Sequence, residues 1–203
     1  MVTFHQIQSA LDARRPSLLP PTSRSRAAVA LILRPTDTGP QMLFVERARH
    51  DGDPWSGDLG FPGGKVEKGE EGNPRLTAER ETVEEIGVDL KEVLYLGRLD
   101  DIEGAHLPIV VSCFVYGVGR NLPWTFNEEI REAFWVPLAD LVDPVRHVDA
   151  PVIFRDLQLV RPAICLLGPE RTVLWGITYR LVCQFLRLLG HEVGRESEFN
   201  IQA

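Results

Sequence analysis

Apolar residues along this chain follow two spacings, one typical of strands and one typical of helices. Near-continuous apolar runs at 27–34 and 107–118 indicate strands buried on both faces. The run at 41–48 follows the first run after a Pro/Gly turn, which predicts a hairpin. Weaker strand patterns cover 92–99 and 152–160. Strands separated by helices predict an α/β fold, with a mixed β-sheet sandwiched between helices.

Helical spacing appears in four segments, of which two are long. Apolar residues recur at every third or fourth position along 174–189, and Gly190 is the stop signal. The middle helix has Asn73 as N-cap, Pro74 at its first position and Gly87 just past its end. Shorter helices are predicted at 4–11 and 138–142.

The middle helix carries an acidic face. Glu81, Glu84 and Glu85 have the i, i+3 and i+4 spacing that places side chains next to one another. Like charges at this spacing weaken a helix unless a positive group lies between them, so the cluster predicts a divalent cation. Carboxylate oxygens suit Mg²⁺, Mn²⁺ or Ca²⁺ better than zinc. A solvated helix face is the alternative interpretation of the same three residues.

The apolar face of this helix is predicted on the opposite side. Leu76, Val83 and Ile86 fall within an arc of about 80°, at about 100° per residue, and this spacing indicates a buried stripe. Glu79 lies in the same arc. We therefore expect it to point away from the cation.

The segment from Gly64 to Val88 resembles the Nudix box. The family pattern is Gly, five residues, Glu, seven residues, Arg-Glu, an apolar residue, any residue, Glu-Glu, any residue, Gly and an apolar residue. The matching residues are Gly64, Glu70, Arg80, Glu81, Glu84, Glu85, Gly87 and Val88. The resemblance implies a Nudix-type α/β/α sandwich and a hydrolase of nucleotide diphosphates that depends on Mg²⁺ or Mn²⁺.

The segment departs from this pattern at two points. Nine residues, not seven, separate Glu70 from Arg80, and Thr82 stands where an apolar residue is usual. The two extra residues lie in the turn before the helix, so the acidic face is left intact. Glu67, Glu70 and Glu71 all remain candidates for pairing with Arg80.

The resemblance also implies roles for individual residues. The implied metal ligands are Glu81, Glu84, Glu85 and the backbone carbonyl of Gly64. The implied catalytic residues are Glu81, Glu84, Arg80 and Glu70. The implied substrate-binding residues are Arg47, Gly63, Gly64 and Trp55. Arg80 is suited to hold a loop carboxylate by a forked pair, and so to orient the metal ligands.

The sequence does not single out one residue as the general base. Glu81 and Glu84 are candidates, and so is a carboxylate arriving on another loop, such as Glu128 or Glu129. For the last two, an exposed charge pair without a catalytic role is the alternative interpretation.

Runs outside the box resemble the coenzyme A diphosphatase branch of the family, over roughly residues 27–189. The similar runs are 43–64, 127–138 and 175–180. Gly52 lies about where the branch usually has an arginine. The branch resemblance implies that coenzyme A or an acyl-CoA is cleaved to 4′-phosphopantetheine and 3′,5′-ADP. ADP-ribose or another nucleotide diphosphate is an alternative substrate. A non-catalytic nucleotide-sensing module is the other alternative, and the intact box carboxylates disfavour it.

Composition fits one such domain. The chain has 203 residues, of which 44% are hydrophobic, enough to bury a full core. We expect an N-terminal helix and linker at 1–26, the Nudix domain at 27–190 and a polar tail at 191–203. A homodimer is a further prediction.

Charge and cysteine usage limit the partners and the compartment. The net charge of −7 argues against binding to nucleic acid or to an anionic membrane surface. Three widely spaced cysteines indicate reduced thiols. The sequence has no apolar run of membrane-spanning length and no secretory leader, so we expect a cytoplasmic protein whose partner is a small-molecule nucleotide.

Overall fold

A mixed β-sheet with helices on both faces forms the centre of the structure. The computed structural model describes residues 2–20, 24–49, 56–105, 107–119, 122–154, 157–168 and 170–194. The strands are β1 (Ser25–Arg34), β2 (Gln41–Arg47), β3 (Leu59–Gly60), β4 (Gly63–Lys65), β5 (Leu94–Arg98), β6 (Ile102–Glu103), β7 (Ile109–Gly117), β8 (Ile130–Pro137), β9 (His147–Phe154) and β10 (Leu157–Ile164). The helices are α1 (Phe4–Asp12), α2 (Pro74–Ile86), α3 (Leu138–Leu141) and α4 (Gly176–Leu188), with 3₁₀ turns at Leu90–Glu92 and Pro144–Arg146.

Two long apolar strands organise the sheet. β1 and β7 pair in parallel, and every residue of β7 is buried, as the continuous apolar run predicts. The main strand order is β3-β2-β1-β7-β5, while β4 pairs with β1, β6 with β7 and β8 with β2, all antiparallel. β1 and β2 form the predicted hairpin. β9 and β10 form a separate two-stranded ribbon.

Two apolar clusters lie on opposite faces of the sheet. One contains Ile7 and Leu11 of α1 together with Phe185 of α4, so the N-terminal helix is part of the main core. The other contains Ile86 of α2, packed with Tyr116 of β7. The three layers are those of the predicted α/β/α sandwich.

Helix α2 begins and ends where the sequence predicts, but it buries a different face. Pro74 is its first residue, and Gly87 ends it with a φ of 71°. Leu76 and Val83 are 41% and 46% exposed, so the predicted buried stripe is wrong except at Ile86. The residues that α2 buries are Thr77, Ala78, Glu79, Thr82, Glu85 and Ile86.

The buried face of α2 consists mostly of small or hydrogen-bonded side chains. α2 packs against β1 and β4, and Ala78, Thr77 and Thr82 are among the residues it buries. Thr82 is fully buried, and its hydroxyl donates to the carbonyl of Ala78 at 2.6 Å. That bond satisfies the polar atom that replaces the usual apolar residue.

The observed buried face of α2 predicts which of its side chains can be shortened without loss of stability. Ile86→Ala should lower the free energy of unfolding by about 2–5 kcal/mol, because it leaves a cavity between α2 and the sheet. Val83→Ala should change it by no more than about 0.5 kcal/mol, because the side chain is half exposed. Urea denaturation measures both. A larger loss at Val83 than at Ile86 would contradict the observed face.

Candidate active site

The turn into β4 brings backbone groups against the acidic helix. Gly63 has a φ of 149°, and a Cβ there would lie 2.3 Å from the carbonyl oxygen of Ala28, so only glycine fits. Its amide donates to Oε2 of Glu85 at 2.9 Å. A Cβ on Gly64 would lie 2.3 Å from Oε1 of Glu81. Gly63 therefore allows β4 to lie close to β1, and Gly64 leaves room for the carboxylate of Glu81.

Arg80 lies at the centre of the acidic cluster. Its Nε and Nη2 form a forked pair with the two carboxylate oxygens of Glu70, at 3.1 and 3.3 Å. Its Nη1 donates to Glu81 at 2.9 Å and to Glu84 at 3.0 Å. The sequence predicts that a cation separates these carboxylates. In this structure the chain supplies positive charge of its own through one guanidinium.

Glu70 is the loop carboxylate that pairs with Arg80, and this answers the question raised by the nine-residue spacing. Glu67 lies 3.9 Å from the guanidinium, while Glu71 accepts from the amide of Gly69. The hydroxyl of Thr77 also donates to Glu70, at 2.7 Å. The hydrogen bond from Arg80 is the main cause that lowers the pKa of Glu70 to about 2. Glu70 is therefore ionised at neutral pH.

Glu85 is the most deeply buried of the three predicted metal-ligating carboxylates. Its residue is 2% exposed, and burial raises its pKa to about 8 even though Gly63 and Arg47 oppose the shift. Nη1 of Arg47 lies 3.6 Å from its Oε1. Burial also raises the pKa of Glu81. Burial therefore disfavours the charged form of both carboxyls in the absence of an added positive charge.

The loop that carries Glu128 and Glu129 also lies beside helix α2. The amide of Asn127 donates to the backbone carbonyl of Glu85 at 3.1 Å, which fixes this loop on the C-terminal end of α2. Glu129 follows, and its Oε2 lies 3.8 Å from Nη2 of Arg47. Arg47 thus lies between the carboxylates of Glu85 and Glu129. The loop containing Glu128 and Glu129 is therefore next to the acidic helix.

The donor chemistry fits a hard divalent cation, although the side chains are not arranged around one. In the part of the chain that the structure describes, no three His, Cys, Asp or Glu side chains have a metal-holding arrangement. Glu81 and Glu84 turn toward Arg80, and Glu85 turns toward Gly63. The carboxylate oxygens of Glu81 and Glu84 and the buried carboxyl of Glu85 are oxygen donors of the kind that such a cation binds.

The structure brings most of the predicted site residues together. Those that meet around the β4 turn and α2 are Arg47, Gly63, Gly64, Glu70, Arg80, Glu81, Glu84 and Glu85. Trp55 and Gly52 lie outside the described residues. The sequence pattern assigns no role to Trp175 or Asp58, yet the indole Nε1 of Trp175 donates to Asp58 at 3.0 Å. This bond ties the start of α4 to the segment before the box, and no spacing in the sequence indicates it.

Most of the chain matches the model of a known protein family. Residues 24–156 match the NUDIX domain model, which includes the glycine turn, the acidic helix and the loop of Glu129. The chain belongs to the Nudix family. The nine-residue spacing before Arg80 is therefore a variation within a Nudix box.

Relatives among known proteins agree with Nudix membership. The chain is 33% identical over 172 residues to the mitochondrial coenzyme A diphosphatase NUDT8 of Homo sapiens, covering 82% of this chain and 71% of that protein. It is 30% identical over 153 residues to an uncharacterized protein of Schizosaccharomyces pombe, covering 64% of this chain. It spans 46% of the length of that yeast protein.

A solved structure supports the Nudix fold. The crystal structure of a MutT/nudix family protein from Enterococcus faecalis matches with a TM-score of 0.56 at 17% identity, covering 93% of this chain and 70% of that one. None of the helices in the described residues is long and apolar enough to cross a membrane.

The buried carboxyl of Glu85 predicts how the stability of the metal-free protein depends on pH. Its pKa is about 8 in the folded protein and about 4.5 in the unfolded chain. The contribution of Glu85 to stability is therefore fully present below about pH 4.5 and is lost as the pH rises through about 8. In EDTA, the free energy of unfolding of the parent should fall across this window relative to that of Glu85→Gln.

Urea titrations of both proteins between pH 5 and 9 measure the difference. Glu92→Gln, at an exposed carboxylate in the turn after α2, is the control and should follow the parent. Parallel curves for the parent and Glu85→Gln would show that Glu85 ionises normally.

Proposed function

We propose that this Nudix domain hydrolyses nucleotide diphosphate derivatives with the help of a divalent cation, and that coenzyme A or an acyl-CoA is its substrate. The supporting observation is the group of carboxylates on α2, which Arg80 and the Gly63–Gly64 turn hold side by side. A diphosphate carries negative oxygens, which repel an incoming hydroxide, and its leaving group departs as an anion. Concentrated positive charge beside the diphosphate reduces the repulsion of the hydroxide and stabilises the anionic leaving group.

Glu81, Glu84, Glu85 and the backbone carbonyl of Gly64 would hold Mg²⁺ or Mn²⁺. When bound, the ion supplies positive charge toward the diphosphate oxygens and lowers the pKa of a coordinated water. The amide of Gly63 fixes one oxygen of Glu85, and the glycine turn leaves room for the carboxylate of Glu81. These contacts place two of the carboxylates before any ion arrives.

Arg80 and Glu70 position the other groups. Because the guanidinium is planar and Glu70 holds two of its nitrogens, the remaining nitrogen has a defined direction toward Glu81 and Glu84. Because Glu70 holds it separately, Arg80 would keep its place whether or not Glu81 and Glu84 also bind an ion. We propose that Arg80 thereby keeps the acidic face together in both states.

The proton acceptor is a carboxylate of this group or of the neighbouring loop. Glu84 is 53% exposed and Glu129 is 56% exposed at the side chain, so either is open to solvent water. Glu81 and Glu128 remain candidates too. Arg47, together with Gly63, Gly64 and Trp55, is proposed to contact the substrate, and the guanidinium of Arg47 faces the same cluster.

Two lines support coenzyme A as the substrate. The sequence runs outside the box resemble the coenzyme A diphosphatase branch, and the human relative described above is named a coenzyme A diphosphatase. The proposed products are 4′-phosphopantetheine and 3′,5′-ADP. The free cysteines fit the predicted cytoplasmic compartment, although that relative is named mitochondrial. The homodimer remains a prediction.

Removal of the metal or of its ligands tests the mechanism. Hydrolysis should stop in excess EDTA and return with millimolar Mg²⁺ or Mn²⁺. Glu85→Gln and Glu81→Gln should each lower kcat by at least about 10²-fold, since each removes a preorganised charged ligand. The exposed control Glu92→Gln should stay within about twofold of the parent. Full activity in EDTA, or an equal loss at Glu92, would overturn the metal assignment.

A substrate panel tests the coenzyme A proposal. With Mg²⁺ and identical concentrations, kcat/KM for coenzyme A should exceed that for ADP-ribose, NADH and diadenosine polyphosphates, and mass spectrometry should find 4′-phosphopantetheine and 3′,5′-ADP. A clear preference for ADP-ribose would move the protein to another branch while leaving the metal mechanism in place. No turnover of any diphosphate would favour a nucleotide-sensing module.

A further inference from the structure

The rotation of α2 about its axis is not set by an apolar stripe. Thr77, Glu79, Thr82 and Glu85 make most of its buried face polar. An ordinary surface helix is held in rotation by a wide apolar stripe facing the core, and this helix has only Ala78 and Ile86 for that purpose. Directional hydrogen bonds must therefore define the angle at which the acidic residues are presented.

Glu79 carries one of these bonds on the side of α2 away from the proposed metal site. The residue is 4% exposed. The hydroxyl of Tyr116, on β7, donates to its Oε1 at 3.1 Å, and Nε of Arg75 donates to the same oxygen at 2.7 Å. The guanidinium of Arg75 lies 4.1 Å from the centre of the Tyr95 ring. We call Glu79 and Tyr116 the helix pin.

The helix pin rests on a rigid part of the sheet. Tyr116 is fully buried and lies directly opposite Tyr95 in the β5–β7 pair, with the ring centres 5.5 Å apart. Burial raises the pKa of the Tyr116 hydroxyl, so that it remains protonated and donates. Because β7 is buried along its whole length, the donor has a fixed position.

The helix pin and the glycine turn hold α2 from opposite sides. At about 100° per residue, Glu79 lies about 120° around the helix axis from Glu85 and about 160° from Glu81. Gly63 holds Glu85 on one side of the buried face, and Tyr116 holds Glu79 on the other. Two anchors this far apart fix a rotation that neither fixes alone. Rotating a helix of about 5–6 Å radius by about 10° moves a side chain by about 1 Å.

We propose that Glu79 and Tyr116 are positioning residues, which set the rotation of α2 and thereby the placement of Glu81 and Glu85 for a divalent cation. The inference rests on the proposed metal-dependent function. Displacements of about 1 Å are costly in a site that must present several groups at once. Glu79 is outside the Nudix box pattern, and the sequence predicts only that it points away from the metal.

Mn²⁺ binding to four variants tests the helix pin. Tyr116→Phe removes the donor but keeps the ring, and Glu79→Leu removes the acceptor. Each should weaken Mn²⁺ binding about tenfold, the low end of what loss of a ligand-orienting group costs. Glu79→Gln keeps an acceptor for Tyr116 and should bind Mn²⁺ close to the parent. The control Tyr95→Phe removes a neighbouring hydroxyl that does not bond Glu79 and should also match the parent.

Free Mn²⁺ is measured by electron paramagnetic resonance, well below each melting temperature. A second readout is the Gly63 amide resonance of ¹⁵N-labelled protein in EDTA, which reports the Gly63–Glu85 bond without metal. It should move in Tyr116→Phe and not in Tyr95→Phe. If Tyr116→Phe lowers the melting temperature but changes neither readout, or if Tyr95→Phe changes both equally, the positioning role is wrong.

The two readouts separate the helix pin from the proposed function. A parent protein that binds no Mn²⁺ overturns the metal site, and the Gly63 resonance then still decides whether the helix pin controls the rotation of α2. If Glu79→Leu does not fold, Tyr116→Phe, which keeps the ring volume, decides whether the positioning role holds.

Discussion

One guanidinium makes the acidic helix possible. Four carboxylates, those of Glu67, Glu70, Glu81 and Glu84, lie within 4 Å of Arg80, which offers five N–H donors in a fixed plane. Without it, the charges on α2 and on the loop before it would repel one another. The β4 turn lies against the other side of the cluster, where the Gly63 amide bonds Glu85 and Gly64 leaves room for the carboxylate of Glu81.

The site contains two carboxylates in opposite electrostatic states. Glu70 is stabilised in its charged form by Arg80, which lowers its pKa to about 2. Glu85 is held in a buried place, where its charge is penalised and its pKa is raised to about 8. Positive charge brought close to Glu85 would favour its ionised form, whereas Glu70 is already ionised.

The two faces of the sheet are packed in different ways. The face covered by α1 and α4 buries large apolar side chains, among them Phe44, Leu31 and Phe185, and supplies most of the stability. The face covered by α2 accepts a polar contact surface, with glycines below the helix and hydrogen bonds at its edges. The α2 face therefore buries less apolar surface. Its hydrogen bonds have defined directions and so hold the carboxylates in place, which apolar contacts do not do.

The sequence by itself determined the long central strands, the helices and the resemblance to a family. Continuous apolar runs identified the central strands β1 and β7. Pro74 and Gly87 identified the ends of α2, because backbone conformation at these positions depends on the residue itself. Arg80, Glu81, Glu84 and Glu85 stand at the spacing of the Nudix family pattern, and this resemblance pointed to the family.

Only the tertiary structure decided which face of α2 is buried. Leu76 and Val83 form an apolar stripe by periodicity, yet they face outward, and α2 instead buries polar residues whose hydrogen bonds are met, among them Glu79 and Thr82. The choice of Glu70 as the partner of Arg80, and the contact between Glu79 and Tyr116, also depend on distant segments meeting. Local spacing carries no information about what packs against a helix, and for that physical reason these contacts could not be predicted.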